Sequence, residues 1–383
     1  MTLRVLFPFH CNNEHAGHLP FSLVRHLSQT DLHAELWVTG RGARAQADFV
    51  RTILDATSHS LLRRVNQIVR PAANWPLAFL EHCFLRAFRK GDMALLSRGT
   101  SLGLTRALRA RGHMTFLERI NTMDHTAKAI LEDAFSRAGW PIEHMYTQDS
   151  LDREKAQAEA ANFIFSASPA VTNSLIERGI SKDKILECSY GWDPHRFIDP
   201  AHGLPAIPGI TVLFVGGIGV RKGAHLLLHA WSKADIAGRL VLLGHMERAI
   251  KRHCADIFLR SDVVHVPYSP DPGPWFNSAD IFALPTLEEG SPLVAYEATG
   301  NGLPVLSTPM GAGWIVRNGV EGRVIEPYDE AGWIAALRLL AGDAALRKQL
   351  GHAGRICAAH YTWTMVAQRR YGQIKGVMTG QMQ

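Results

Sequence analysis

Residues 281–308, IFALPTLEEGSPLVAYEATGNGLPVLST, read as strand, polar loop, apolar helix and strand. IFALP is an apolar run of strand length that stops at Pro285, and PVLST is a second one. A helix between two such runs predicts parallel strands joined by a crossover. Two carboxylates punctuate the unit. Glu289 falls in the loop beside Gly290, and Glu297 follows after seven intervening residues, one to two turns inside the helix. Ser291 and Pro292 read as an N-cap followed by proline at the first helical position. A carboxylate at the positive end of a helix suits a site that grips a polar ligand by its hydroxyls. The pair reads equally as a capping carboxylate and an ordinary surface Glu.

The same alternation runs through the chain. LRVLFPF, AELWVTG, MTFLERI and NFIFSAS read as strands of the first half, and TVLFVGG, RLVLLG, DVVHVP, DIFALP, LPVLST and GRVIEP as strands of the second. Helical patterns lie between them. In residues 124–139, Ala127, Ile130, Leu131, Ala134, Phe135 and Ala138 form one apolar stripe. The fold class expected is α/β, with doubly wound, Rossmann-like parallel sheets. The stretch 199–210, DPAHGLPAIPGI, is rich in Pro and Gly and has no period. It predicts a linker between a domain at 1–198 and another at 211–360, with a helix at 361–383 packing back on the first. A ligand between two such domains belongs outside the carboxyl ends of the strands.

Totals narrow the class. The 383 residues are 46% hydrophobic and 20% charged, as in a globular protein, with a net charge of +6. That mild basicity suits phosphates, an acidic membrane surface or no polyanion at all. No nucleic-acid-binding signature accompanies it. Five scattered cysteines without a C-x-x-C pair predict reduced thiols and a cytoplasmic chain. The N-terminal MTLRVLFPFH lacks a signal-peptide pattern.

TVLFVGGIGVRKGAHLLLHAW (211–231) is strand, glycine-rich turn and helix. Gly216, Gly217 and Gly219 let backbone N–H groups come close to an anion. Arg221 and Lys222 place two cations at the same turn, one a fork for phosphate oxygens and one a point charge. The spacing excludes a Walker A loop, and Lys222 stands where a dinucleotide fingerprint needs its third glycine. The turn predicts a diphosphate site; glycines serving a tight turn alone are the other reading.

Together these motifs resemble the retaining GT-B glycosyltransferases of glycosyltransferase family 4. VGGIGVRKG is similar to the family's phosphate loop and EGSPLVAYE to its E-x7-E motif. NGLPVLST and GWIVRNGVEGRVIEP resemble the elements that follow. SYGWDPHRF is similar to its hinge signature, and FLERINTMDHTAKAILEDAF to a bacterial N-domain pattern. The resemblance implies two Rossmann-like domains facing across a cleft. It implies transfer of a sugar, with retention, from a nucleotide-diphosphate donor to a saccharide, glycolipid or other hydroxyl acceptor. Arg221 and Lys222 would bind the diphosphate and stabilise the leaving group. Glu289, Gly290, Ser291, Leu293 and Val294 would line the sugar site, and Glu297 would take the ribose hydroxyls. Gly17, Gly217 and Gly219 would face the phosphates; His245, Val266 and Tyr268 would border the base; His125 would face the cleft on the acceptor side. No D-x-D triplet occurs, so no metal is expected, and His10, His15 and His18 read as a polar loop rather than as ligands. The departures are Gly-Ser-Pro where relatives carry Gly-Phe-Gly, Gly217 or Ile218 where an Arg is usual, and Trp192 in the hinge.

Residues 61–91 mix Arg, Lys, Trp, Phe and Leu. They read as a helix pair with a core side and a solvated basic side, or as a surface for peripheral membrane contact at the cytoplasmic face. Two other functions share the architecture: a nucleotide-sugar epimerase and a non-catalytic nucleotide-sugar-binding protein.

Overall fold

The computed structural model describes residues 1–13, 17–52, 75–198, 201 and 203–380. His15, the segment 61–74, and Asp199, Pro200 and His202 of the expected linker lie outside the described residues.

Two all-parallel sheets form the frame. The first holds β1 (Thr2–Cys11), β2 (His33–Arg41), β3 (Val50–Thr52), β4 (Met93–Leu96), β5 (Met114–Arg119), β6 (Phe163–Ser166) and β7 (Ile185–Glu187), in the order β3-β2-β1-β4-β5-β6-β7. The second holds β8 (Ile210–Val215), β9 (Gly238–Leu243), β10 (Val263–Val266), β11 (Ile281–Leu284), β12 (Val305–Ser307) and β13 (Gly322–Val324), in the order β10-β9-β8-β11-β12-β13. Helices cover both faces, so the strands are apolar on both sides: Leu240, Val241, Leu242, Ile281, Phe282 and Ala283 have no exposure. Strand order reverses at β1/β4 and at β8/β11. Such a switch point opens a crevice beyond the strand ends.

β1 runs two residues beyond the expected LRVLFPF, to Cys11, and its register against β2 slips between Phe7 and His10, across Pro8. Proline has no N–H for the ladder, so the slip falls where it interrupts the pairing. Ile210, the last residue of the expected linker, already pairs with Gly238 in the second sheet. In the described part of 61–91, helix Trp75–Ala87 buries Leu80 and Phe84 in the first domain's core, Phe84 edge-on to Trp37.

Each domain lends the other a segment. Helix Trp363–Thr379 lays Trp363, Val366, Ala367 and Ile374 into the core of the first domain. Helix Asp124–Ala138 sends Ala134 and Phe135 into the core of the second. The chain crosses between domains twice, and the two crossings are tied together. Trp192 N–H donates to the Tyr361 carbonyl at 3.0 Å, Trp363 N–H returns to the Trp192 carbonyl at 3.2 Å, and the Trp192 indole donates to the Ala358 carbonyl at 2.9 Å. Trp192 thus pins the two crossings together. Gly300 makes room for its ring, since a Cβ there would lie 2.4 Å from it, and Gly191 makes room for Trp363, since a Cβ there would lie 2.8 Å from Trp363 N.

Candidate active site

The switch point of the second sheet brings the loops after β8 and β11 side by side. The Arg221 carbonyl accepts from Leu287 N–H at 2.9 Å and from Glu288 N–H at 3.3 Å, which locks the loops edge to edge. Four charges meet there. Arg221 Nη1 lies 3.2 Å from Glu288 Oε2 and 3.6 Å from Glu289 Oε2, and Lys222 Nζ contacts Glu289. Glu288 and Glu289 are buried, whereas the Arg221 side chain keeps 34% exposure. Burial pushes the Lys222 ammonium well below its usual range; Arg221 pushes the same way and Glu288 opposes. The cluster balances two cations against two carboxylates, and its exposed member is the guanidinium.

The glycine loop opens onto this cluster. Gly216 has φ of 141°, and nothing lies within 4 Å of a Cβ at Gly217, so the backbone there is accessible to an anion. Gly219 differs: the Glu247 carboxylate covers it, 2.1 Å from where a Cβ would stand. Of Gly217 and Gly219, both expected to face the phosphates, Gly217 is the open one.

The expected helix start is corrected. Helix Leu293–Gly300 has Pro292 at its N-cap, and no side chain caps it. The Ser291 hydroxyl is shared with Tyr296 at 2.8 Å, which takes it away from the helix N–H groups. Gly290 N–H points to Glu289 Oε1 at 3.3 Å. Leu293 packs on the first domain's core and Val294 on the second's. Glu297 is buried and receives Arg196 Nη1 at 3.1 Å. Burial raises the pKa of Glu297 and Arg196 opposes it.

Arg196 continues into the first domain. Its Nη1 lies 3.3 Å from His18 Nε2, and His18 Nδ1 is 2.9 Å from Asn13 Oδ1. Burial, then the charges of Arg196 and His26, hold His18 down at about 3, so it is a neutral ring at physiological pH. Gly17 starts the His18–Leu27 helix directly before it. Among the described residues no group of three His, Cys, Asp or Glu could hold a metal.

His125 is exposed on the first turn of its helix, just beyond the loop that meets the second domain. The residues expected to border a base lie at the ends of β8 to β10: the His245 carbonyl accepts from Ile218 N–H and the Val266 carbonyl from Gly244 N–H, each at 2.8 Å, and Tyr268 is half exposed.

Sequence reasoning missed the contacts that join the domains. Glu288, 1% exposed, accepts from Asn121 Nδ2 at 3.0 Å and from Thr122 N and Oγ1 at 3.2 and 2.8 Å. Gly290 faces Ile120 so closely that a Cβ would lie 1.5 Å from its carbonyl oxygen. The Trp314 indole donates to the Ala167 carbonyl at 3.0 Å. Arg196 stands inside the quoted hinge signature, and Glu288 directly precedes the motif Glu; position beside a motif was the only signal for either.

The chain is similar to known proteins in sequence and in shape. D-inositol 3-phosphate glycosyltransferase of Pseudarthrobacter chlorophenolicus is 30% identical over 229 residues, 54% of each chain. The capsular polysaccharide biosynthesis glycosyltransferase CapM of Staphylococcus aureus is 27% identical over 221 residues, 53% of this chain and 58% of CapM. The chain spans about half the length of these curated relatives. Over nearly the full length it superposes on sucrose-phosphate synthase of Thermosynechococcus elongatus, with a TM-score of 0.72, 17% identity and 99% of both chains covered. HepE of Anabaena, solved with UDP and glucose, gives a TM-score of 0.66 at 14% identity, with 97% of this chain and 99% of HepE covered. The fold is GT-B, and residues 209–343, which hold the glycine loop, both motif carboxylates and the Arg221–Lys222 pair, match the family described as Glycosyl transferases group 1.

Proposed function

We propose that this protein is a retaining glycosyltransferase that moves a hexose from a nucleoside-diphosphate sugar to an acceptor hydroxyl without a metal, in glycan or glycolipid synthesis. One observation carries the reading. At the β8/β11 switch point, Arg221 and Lys222 stand with Glu289 beside the open backbone of Gly217, under a loop of the facing domain. Cations fixed where a diphosphate leaves supply the charge stabilisation that a divalent ion supplies elsewhere. Arg221 presents its guanidinium to the phosphates, and Lys222 holds a point charge beneath them. Glu289 takes sugar hydroxyls and Glu297 the ribose. The acceptor oxygen bonds to the anomeric carbon as the bond to the phosphate oxygen breaks. The departing phosphate takes the acceptor's proton, and the products are a glycoside and a nucleoside diphosphate. The Glu pair is not the nucleophile and acid of a hydrolase.

The names of the similar proteins support this reading: two are glycosyltransferases, and HepE was solved with UDP. Among the described residues no helix is long and apolar enough to cross a membrane. We place the protein in the cytoplasm, with any membrane contact peripheral. The test is to incubate the purified protein with UDP-, GDP- and ADP-sugars, with and without EDTA. Nucleoside-diphosphate release from one donor, matched by a thermal shift with the free nucleotide and unaffected by EDTA, is expected. A folded sample giving neither release nor shift overturns the reading. An isomeric nucleotide sugar, formed without an acceptor, would identify an epimerase instead.

A further inference from the structure

Glu288 lies outside the E-x7-E pair, yet it is the most enclosed carboxylate of the site. Its partners come from both domains. Asn121 Nδ2 reaches Oε2 at 3.0 Å, and Thr122 gives Oε1 its backbone N–H at 3.2 Å and its hydroxyl at 2.8 Å. From its own domain, Arg221 Nη1 reaches Oε2 at 3.2 Å and the Glu288 carbonyl at 3.1 Å. A carboxylate with 1% exposure is stable there only because these donors surround it. Separating the domains removes the Asn121 and Thr122 donors and admits water in their place.

The loop that grips Glu288 is itself held. Arg119 Nε donates to the Asn121 carbonyl at 3.1 Å, Nη2 donates to the Thr122 carbonyl, and the same guanidinium pairs with Asp124 and Glu154. The Asn121 and Thr122 donors are therefore preset, and no loop ordering is needed when the domains meet. On the other side, Glu288 uses one of the three guanidinium nitrogens of Arg221. The remaining N–H groups stay available in a fixed plane for phosphate oxygens.

We propose that Glu288 is a positioning residue that ties closure of the cleft to the aim of Arg221: the carboxylate is gripped by Asn121 and Thr122 only when the domains meet, and in that state it fixes the guanidinium over the diphosphate. This rests on the transferase reading for what Arg221 binds, but not for the closure itself. The coupling acts on the closed state, so it bears on turnover more than on capture of the nucleotide by the open protein.

The experiment compares Glu288→Gln, Glu288→Ala, Thr122→Val and Arg221→Ala with wild type, and adds the Glu288→Ala/Arg221→Ala double variant. Glu288→Ala is expected to lower kcat at least tenfold while nucleoside-diphosphate affinity stays within about threefold. In the Arg221→Ala background the same change is expected to cost less than about threefold, because the residue acts through Arg221. Thr122→Val, which leaves the second domain intact, should move kcat in the same direction. Full turnover in Glu288→Ala, or effects that simply multiply in the double variant, overturns the assignment. Small-angle scattering reads closure without any donor: Glu288→Gln and Thr122→Val should give larger radii of gyration than wild type. If no donor turns over even in wild type, the transferase reading fails alone, and equal radii would then overturn the closure role as well.

Discussion

Lys222 is the residue whose chemistry is most exposed to test. It is enclosed, its ammonium contacts Glu289, and burial presses it toward neutrality. A cation held in that state gains most when negative charge develops beside it, which is the condition of a departing diphosphate. Lys222→Ala is expected to lower kcat by roughly 100-fold or more, the scale seen when one preorganised donor is removed. Saturating-donor kinetics on a folded sample measure it, and a loss within about threefold, or roughly 0.6 kcal/mol, contradicts the role. His18 offers a test by pH. Its pKa falls from an ordinary 6.5 to about 3 in the folded protein. Between those values the unfolded chain binds more protons than the folded one, so stability rises with pH across the window and is complete above it. From pH 7 to pH 5 the ring should cost about 2 kcal/mol, the slope approaching about 1.4 kcal/mol per pH unit only below pH 6.5. Urea unfolding of wild type and His18→Gln at pH 7 and pH 5 should show their stability difference shifting by about that amount; an identical pH response in both would contradict a buried neutral ring. The motif residues were legible because glycines, cations and carboxylates keep short, fixed spacings. Glu288, Arg196 and His18 were not, because each gets its role from a partner about 70 to 180 positions away.

At the scale of elements, strand–helix alternation was enough to place most of both sheets. The strands missed were β3, β4 and β7. Runs of three or four residues carry no period of their own, and β11, β12 and β13, equally short, were legible because a proline or glycine bounds each of them. The misread helix start has a similar cause: Ser291 fits the capping pattern, but the Tyr296 hydroxyl one turn further on competes for it. Where the loop after β11 meets the loop after β5, the contact is backbone against backbone. A Cβ on Gly290 would stand 1.5 Å from the Ile120 oxygen, and neither side can yield by rotating a side chain. Gly290→Ala is therefore expected to hold the domains apart. It should raise the radius of gyration in solution and lower turnover at least tenfold, while nucleotide affinity, set within the second domain, stays within about threefold. An unchanged radius with full turnover would mean that the domains work without this contact.

At the scale of the molecule, two domains and a returning last helix follow from the alternation and the linker pattern, whereas the reciprocal loan does not. The stripe of Asp124–Ala138 looks like any amphipathic helix, and nothing in it says that Ala134 and Phe135 face the other domain. The last helix is fastened differently, by charge. Arg370 is 1% exposed, donates from both Nη atoms to Glu118 on β5, and lies 4.6 Å over the Phe165 ring, while the Tyr190 hydroxyl donates to Glu118 at 2.9 Å. Burial alone would lower the guanidinium's pKa; the Glu118 charge outweighs it and keeps the group ionised. Removing one partner of such a pair leaves a buried charge uncompensated, which costs about 3–5 kcal/mol. Arg370→Met should lower the melting transition of the first domain and speed hydrogen exchange through Trp363–Thr379. Arg370→Met combined with Glu118→Gln should recover much of that loss, since no unpaired charge remains. Nucleotide affinity should hardly change in either variant, because Glu118 and Arg370 both sit in the first domain's half of the molecule. A double variant no more stable than the single one would assign the fastening to packing around Trp363, Val366 and Ile374 instead of to the ion pair.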